Sequence, residues 1–132
     1  MKRAAMTALL LSSVSFPFSS HAADIDGAWA NDASVCGKVF TKTNNKILFT
    51  ADSELYGGGL IIEGKRASGP FQKCDIRSMI DDGANVRLIA SCSTGVMASD
   101  TQATIKVIGK DQITFSLAGP VNTDTPLVRC SM

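Results

Sequence analysis

The stretch from residue 102 to residue 117, QATIKVIGKDQITFSL, decides the fold class. Within it every second residue is apolar, before and after a Gly-Lys-Asp turn: Ala103, Ile105, Val107, Ile113, Phe115 and Leu117. A period of two is typical of a strand that has one face in a core and the other in water. The stretch therefore predicts an antiparallel hairpin with one buried face.

Short segments of the same kind recur along most of the chain, separated by turn residues. The predicted strands are 28–31, 46–51, 59–63, 66–68, 73–80, 86–93, 102–108, 112–117 and 127–130. Asp32 can cap a short helix with Cys36, Val39 and Phe40 on one face. Because closure removes the exposed edges of such a sheet, we predict an all-β fold. It is an antiparallel meander of about eight strands closing into a small barrel, with one short helix near the mature N-terminus.

The first 22 residues have the composition of a secretory signal peptide. A basic start is followed by an apolar run, and the small-residue segment at 19–23 offers a cleavage site after Ala22. The alternative is an uncleaved membrane anchor, but a spanning helix needs about 20 apolar residues and Pro17 interrupts this run. We therefore expect residues 1–22 to be removed and residues 23–132 to form one domain that is periplasmic or secreted.

The charge distribution favours neither nucleic acid nor membrane as a partner. The chain has 13 Lys and Arg residues and 12 Asp and Glu residues, and the two signs are interleaved along its length. Proteins that bind nucleic acid generally cluster their basic residues against the phosphates. We expect no nucleic acid partner, and no membrane attachment once the signal peptide is removed.

Four cysteines predict two disulfides, since an even number in a short exported chain is typical of a disulfide framework. Zinc is the weaker interpretation, because no two cysteines stand within a few residues of each other. Of the three possible pairings we favour the nested one, Cys74 with Cys92 and Cys36 with Cys130. Cys74 and Cys92 lie at equal distances from Gly83, in the turn of a second predicted hairpin. The sequential pairing, Cys36 with Cys74 and Cys92 with Cys130, stays open.

Strict alternation about the Gly83 turn predicts the register of this hairpin. It sets two groups of residues opposite each other: Cys74, Ile76, Ser78 and Ile80 against Val86, Leu88, Ala90 and Cys92. Both sulfurs then point inward. A one-residue bulge at Gly83 would instead leave the two cysteines diagonal.

Gly27-x-Trp29 at the start of the mature chain and Arg129 in the last predicted strand resemble the calycin pattern. In calycins, a Trp near the start of the barrel packs against an Arg from the last strand. Size, export signal and an early cysteine make the chain similar to the small periplasmic β-barrel inhibitors of secreted metalloproteases. It also resembles uncharacterised short exported proteins of Gram-negative bacteria. The resemblance implies contact between Trp29 and Arg129, and a protein partner.

Catalytic side chains are scarce in the mature chain. The single His, His21, belongs to the signal peptide, so histidine-based catalysis and histidine ligation of a metal are not expected. Disulfide formation would remove the thiols. The neighbouring carboxylates are explained by a terminal arm, a loop and a turn: Asp24 with Asp26, Asp52 with Glu54, and Asp81 with Asp82. We expect no enzyme activity, no cofactor and no metal site.

The candidate contact residues lie in two loops: Asp52, Glu54, Leu55, Tyr56, Val96 and Met97. The first loop holds the only Tyr of the chain and runs into three glycines. Exposed aromatic and aliphatic side chains beside flexible backbone can form a contact patch. In the alternative interpretation the glycines turn the chain sharply, Tyr56 caps the barrel, and the second loop plugs it.

These features predict binding rather than catalysis. The favoured hypothesis is an exported module that binds another protein, as an inhibitor of a secreted or host hydrolase such as a protease or a lysozyme. The alternative is a carrier of a small apolar ligand inside the barrel. That alternative requires small inward residues, whereas the inward positions counted in the sequence are mainly Ile, Phe, Leu and Val.

Overall fold

The protein is described by a computed structural model that covers residues 24–121 and 123–132. The predicted signal peptide lies outside the described residues. No helix in these two ranges is long and apolar enough to cross a membrane.

The prediction of an all-β fold is confirmed. Eight antiparallel strands close into a barrel, in the order β1-β10-β9-β8-β7-β6-β5-β4, with β4 pairing back onto β1. The strands of the described residues are β1 (Gly27–Ala30), β2 (Phe40–Thr43), β3 (Lys46–Phe49), β4 (Leu60–Glu63), β5 (Arg66–Ser68), β6 (Lys73–Asp82), β7 (Asn85–Ser93), β8 (Ala98–Gly109), β9 (Gln112–Leu117) and β10 (Thr125–Cys130). The helix near the N-terminus, α1 (Cys36–Val39), follows a 3-10 turn at Ala33–Val35.

One strand that the sequence pattern indicates stands outside the barrel. The segment predicted at 46–51 is β3, and it pairs only with β2, which the sequence analysis did not predict. A two-residue turn with positive φ at Asn44 and Asn45 joins the two strands, as is typical of a tight hairpin. Phe40, predicted on the helix, is the first residue of β2, because the chain becomes extended there.

Inward-facing apolar side chains from all around the barrel form the main core. Its buried members are Ile25, Trp29, Ile62, Ile76, Val86, Leu88, Ala90, Cys92, Ile105, Ile113 and Leu127. The largest of them, Trp29, is fully buried. The alternation predicted for 102–117 is realised here, since Ile105 pairs with Phe115 and Val107 with Ile113 across β8 and β9.

A second core covers the outside of the barrel next to β1. Ala28 and Ala30 lie on the outer face of β1 and pack in one cluster with Val39 and Phe40. The helix and the β2–β3 hairpin therefore cover the outer face of β1, and the main core buries its inner face. The cluster includes Cys130, whose disulfide to Cys36 joins the last strand to the helix.

The disulfides follow the nested pairing. Cys36 is bonded to Cys130 with a Cα–Cα distance of 5.6 Å, and Cys74 to Cys92 with a distance of 4.0 Å. No free cysteine stands in the described part of the chain. Cys74 is directly opposite Cys92 in the β6–β7 register, as strict alternation requires.

The remainder of the predicted β6–β7 register is wrong beyond Ile76. A bulge lies between Ile76 and Ser78 rather than at Gly83, and it shifts the pairing by one residue. Leu88 therefore faces Met79, and Ile80 faces Arg87. Ile80 is 41% exposed, because an extra residue on one strand moves every following side chain to the other face.

Candidate functional site

One end of the barrel is closed by Trp29 and Arg129. The Arg129 guanidinium lies 4.3 Å from the centre of the Trp29 ring, a cation–π contact. It also donates hydrogen bonds to the backbone oxygens of Asp24, at 2.8 Å, of Asp26, and of Lys110, at 3.2 Å. The N-terminal arm is thereby held across this end. The residues Gly27, Trp29 and Arg129 that carry the calycin resemblance are brought together here, with Arg129 against Gly27 as well.

The opposite end of the barrel is open. The antiparallel pairing brings four connections to this end: residues 50–59 before β4, 69–72 before β6, 94–97 between β7 and β8, and 118–121 with 123–124 between β9 and β10. Both loops singled out in the sequence are among them. The structure thus places the two candidate contact loops around one opening.

An apolar cavity of about 260 Å³ extends inward from this open end. Its walls include Ala67, Ala90, Ala103 and Phe115, and we call this cavity the cup. The expectation that large side chains fill the interior is wrong in this half of the barrel. Three inward positions on three different strands carry only a methyl group, so the side chains opposite them do not meet.

The floor of the cup is formed by larger side chains that belong to the main core: Ile62, Ile76, Leu88 and Leu127. The half-buried Cys74 and the buried Cys92 stand in its wall, so their disulfide contributes to the lining. The barrel is therefore packed at the Trp29 end and hollow at the other.

Every polar residue that lines the cup carries an amide or a hydroxyl: Asn31, Ser68, Gln72, Thr101 and Thr125. The Asn31 amide donates to the Gly57 backbone oxygen at 3.3 Å, which joins the glycine loop to the end of β1. The Gln72 amide donates to Cys74 Sγ at 3.6 Å. The lining contains no Asp, Glu, Lys, Arg or His among the described residues.

The glycines after Tyr56 shape the mouth of the cup. Gly57 has a φ of 89° and Gly58 a φ of 64°, a left-handed backbone that favours glycine. A side chain at Gly59 would place its Cβ only 2.5 Å from the Trp29 backbone oxygen. The sharp turn predicted for these glycines is therefore present, and Gly57 and Gly59 also line the cup.

The candidate residues of the first loop stand beside the mouth rather than inside the cup. Leu55 is 80% exposed, at the end of the 3-10 turn Ser53–Tyr56. Tyr56 points toward the helix, with the Lys38 ammonium 4.9 Å from its ring centre. Asp52 and Glu54 are exposed as well. None of the four lines the cup.

Val96 and Met97 form the exposed tip of the β7–β8 loop, and Val96 is 91% exposed. Two further apolar side chains at the same end, Phe71 and Val121, are also exposed. The sequence analysis did not single these two out, because an apolar residue in a loop does not show which end of a barrel it occupies. With Val96 and Met97 they place four exposed apolar side chains at this end.

The resolved pKa shifts belong to the outer surface. The pKa of Asp100 is lowered by a hydrogen bond from Arg77, then by one from Ser91 at 3.2 Å. The pKa of Asp32 is lowered by hydrogen bonds from Ser34, which is the capping role predicted for Asp32. Neither carboxylate lines the cup. The chemistry of the cup is therefore that of apolar contact and neutral hydrogen bonding.

A second hollow of about 420 Å³ lies beside the closed end, between the N-terminal arm and the bulge in β6. It is shallower than the cup and borders the charged residues Asp24, Asp26, Lys65 and Arg77. No group of three His, Cys, Asp or Glu side chains in the described ranges is placed to hold a metal ion. The enclosed apolar cup is therefore the better candidate site.

Comparisons of the chain with protein-family models, with curated proteins and with solved structures find no match. The relationship to calycins stays a prediction.

Proposed function

We propose that the protein is an exported, non-catalytic carrier of a small apolar molecule held in the cup. The observation that carries this proposal is the hollow half of the barrel, where Ala67, Ala90 and Ala103 leave about 260 Å³ of apolar space open to solvent. An apolar cavity of about 150 Å³ is large enough to bind benzene. Burial of a ligand's apolar surface supplies the free energy of binding, at roughly 25 cal/mol for each Å².

The two disulfides support the exported part of this proposal. Two disulfides in a chain of this size are typical of an oxidising compartment, so we place the protein in the periplasm or outside the cell. The contact between Arg129 and Trp29 supports a calycin-like barrel. Such a barrel keeps one end shut while the other end admits a ligand.

The test is an NMR titration of the mature protein with 1-hexanol. We expect saturable shifts of the amide resonances of Ala67, Ala90 and Ala103, and unchanged resonances around Trp29. Ala103→Leu fills the cup and should abolish these shifts, whereas Ala84→Leu, in the exposed turn at the other end, should preserve them. Shifts that never saturate, or that survive Ala103→Leu, would contradict the proposal.

The second candidate function is inhibition of a hydrolase, a protease or a lysozyme, through the loops around the open end. The observation that favours it is the exposure of Leu55, Phe71, Val96, Met97 and Val121 on connections that leave the same end of the barrel. Exposed apolar side chains gathered at one end are typical of a protein interaction surface.

A panel of secreted metalloproteases and lysozymes tests this second candidate. A positive result is loss of activity of one enzyme at micromolar inhibitor, weakened in the double variant Val96→Ser, Met97→Ser. Ile108→Ser is the matched control, because Ile108 is an exposed apolar residue on β8 far from these loops. Full activity of every enzyme in the panel would remove this candidate.

A further inference from the structure

Thr101 carries an inward-facing hydroxyl of the cup. It lies on β8 and pairs with Ala90 of β7, whose side chain is in the main core. Residues directly opposite each other in an antiparallel pair share a face of the sheet, so Thr101 faces the inside of the barrel. Its side chain is half-buried and lines the cup.

The other polar side chains of the cup are engaged or turned away. Asn31 and Gln72 donate to Gly57 and Cys74, and the Thr125 hydroxyl donates to the Thr123 backbone oxygen at 3.1 Å. Ser68 pairs with Ile61, which packs in the outer core, so it stands on the outer face of β5.

Thr101 faces inward, unlike Ser68, and its hydroxyl makes no hydrogen bond within the described part of the chain, unlike Asn31, Gln72 and Thr125. The Thr101 hydroxyl reaches the solvent in the cup, since no buried side-chain oxygen or nitrogen of the described residues lacks a partner, and a ligand that displaces this water has to replace its hydrogen bond. A ligand that supplies this hydrogen bond therefore binds more tightly than a ligand of the same shape that does not. The absence of any ionisable side chain from the lining also means that a charged group would be desolvated without a counterion.

We propose that the cup selects an uncharged amphiphile, an apolar chain or ring that carries one hydrogen-bonding oxygen or nitrogen, and that the Thr101 hydroxyl recognises that polar atom. This inference rests on the proposed carrier function and adds the chemical class of the ligand. Thr101 acts as the specificity-determining residue of the site.

Isothermal titration calorimetry with four probes of nearly one shape tests the inference: benzyl alcohol, ethylbenzene, benzylammonium and benzoate. We expect Thr101→Val, which keeps the side-chain shape, to weaken benzyl alcohol binding about threefold to tenfold, the value of one neutral hydrogen bond. Ethylbenzene should bind this variant as well as it binds the original protein. Benzylammonium and benzoate should bind at least tenfold more weakly than benzyl alcohol.

Two variants separate recognition from folding. Thr101→Ser retains the hydroxyl and should retain the affinity for benzyl alcohol. Thr104→Val makes the same exchange on the other face of β8 and should change no affinity. Failure of all four probes to bind would remove the carrier function itself. Equal losses for benzyl alcohol and ethylbenzene in Thr101→Val, or benzoate binding as tight as benzyl alcohol binding, would overturn this inference and leave the carrier function standing.

Discussion

At the scale of single residues, Arg129 holds the closed end together. Its guanidinium contacts the Trp29 ring and donates to backbone oxygens of the N-terminal arm and of Lys110 in the β8–β9 turn. Lysine carries a compact ammonium group in place of the planar guanidinium group of arginine. It therefore cannot make the ring contact and all of these hydrogen bonds at the same time. The closed end therefore depends on arginine rather than on positive charge alone.

We expect Arg129→Lys to lower the free energy of unfolding by about 2 kcal/mol, through the loss of charge-assisted hydrogen bonds and ring contact. Denaturant unfolding followed by fluorescence of Trp29, the single Trp, measures the change. The matched control is Arg87→Lys, on the exposed face of β7, which should stay within about 0.5 kcal/mol. Equal effects of the two substitutions would contradict the role given to Arg129.

Gly59 is required at the mouth because its backbone approaches Trp29 too closely for a side chain. In Gly59→Ala the new Cβ would meet the Trp29 oxygen at 2.5 Å, so we expect a loss of between about 1 and 3 kcal/mol. Gly69→Ala is the control, since its nearest neighbour lies at 4.0 Å. Thermal unfolding of both variants measures the difference, and a Gly69→Ala variant as unstable as Gly59→Ala would count against this explanation.

The lowered pKa of Asp100 gives a pH prediction. Arg77→Gln removes the main cause of the shift and should raise the Asp100 pKa toward its ordinary value of about 3.9. Because the folded-state pKa is lowered, the ion pair stabilises the protein above the unfolded-state pKa, and this stabilisation is lost as pH falls through the folded-state pKa. NMR titration of the Asp100 carboxyl measures the shift. An unchanged Asp100 pKa in Arg77→Gln would contradict the assignment.

At the scale of elements, the helix and the β2–β3 hairpin show what sequence patterns leave out. Alternation in 46–51 correctly predicts a strand. The pattern of a single strand does not show which other strand it pairs with. Its partner β2 begins at Phe40, where apolar spacing from Cys36 and Val39 also fits a helix. The β6 bulge was missed for a related reason: nothing in the residues around Arg77 distinguishes a bulge from regular pairing, whereas the glycine at 83 suggested one.

The two disulfides should differ in their effect on stability. In the chain-entropy model, the Cys36–Cys130 bond, which spans 94 residues, contributes about 4 to 5 kcal/mol, and the Cys74–Cys92 bond, which spans 18, about 3 kcal/mol. Urea unfolding of the double alanine variants of each pair compares them directly. Each variant serves as the control for the other, and a greater loss for the Cys74 and Cys92 pair would contradict this ranking.

At the scale of the whole molecule, the barrel could be predicted from the sequence, but its hollow half could not. Alternation identifies most of the residues that face inward, and the hairpin about Gly83 favours the nested disulfides. Whether inward side chains meet depends on how strands distant in sequence are staggered after closure. Ala67, Ala90 and Ala103 come from β5, β7 and β8, and only the closed barrel brings them around one space. The Thr101 hydroxyl is a candidate for ligand recognition only because it lines that space.

The most direct test of the cup is diffraction from crystals of the mature protein pressurised with xenon, an apolar atom that enters dry cavities. We predict a xenon site inside the barrel in contact with Ala90, Ala103 and Phe115, and its loss in Ala103→Leu. Side chains that fill this space, or a chain of ordered waters that xenon does not displace, would contradict the claim that the barrel contains an apolar binding site.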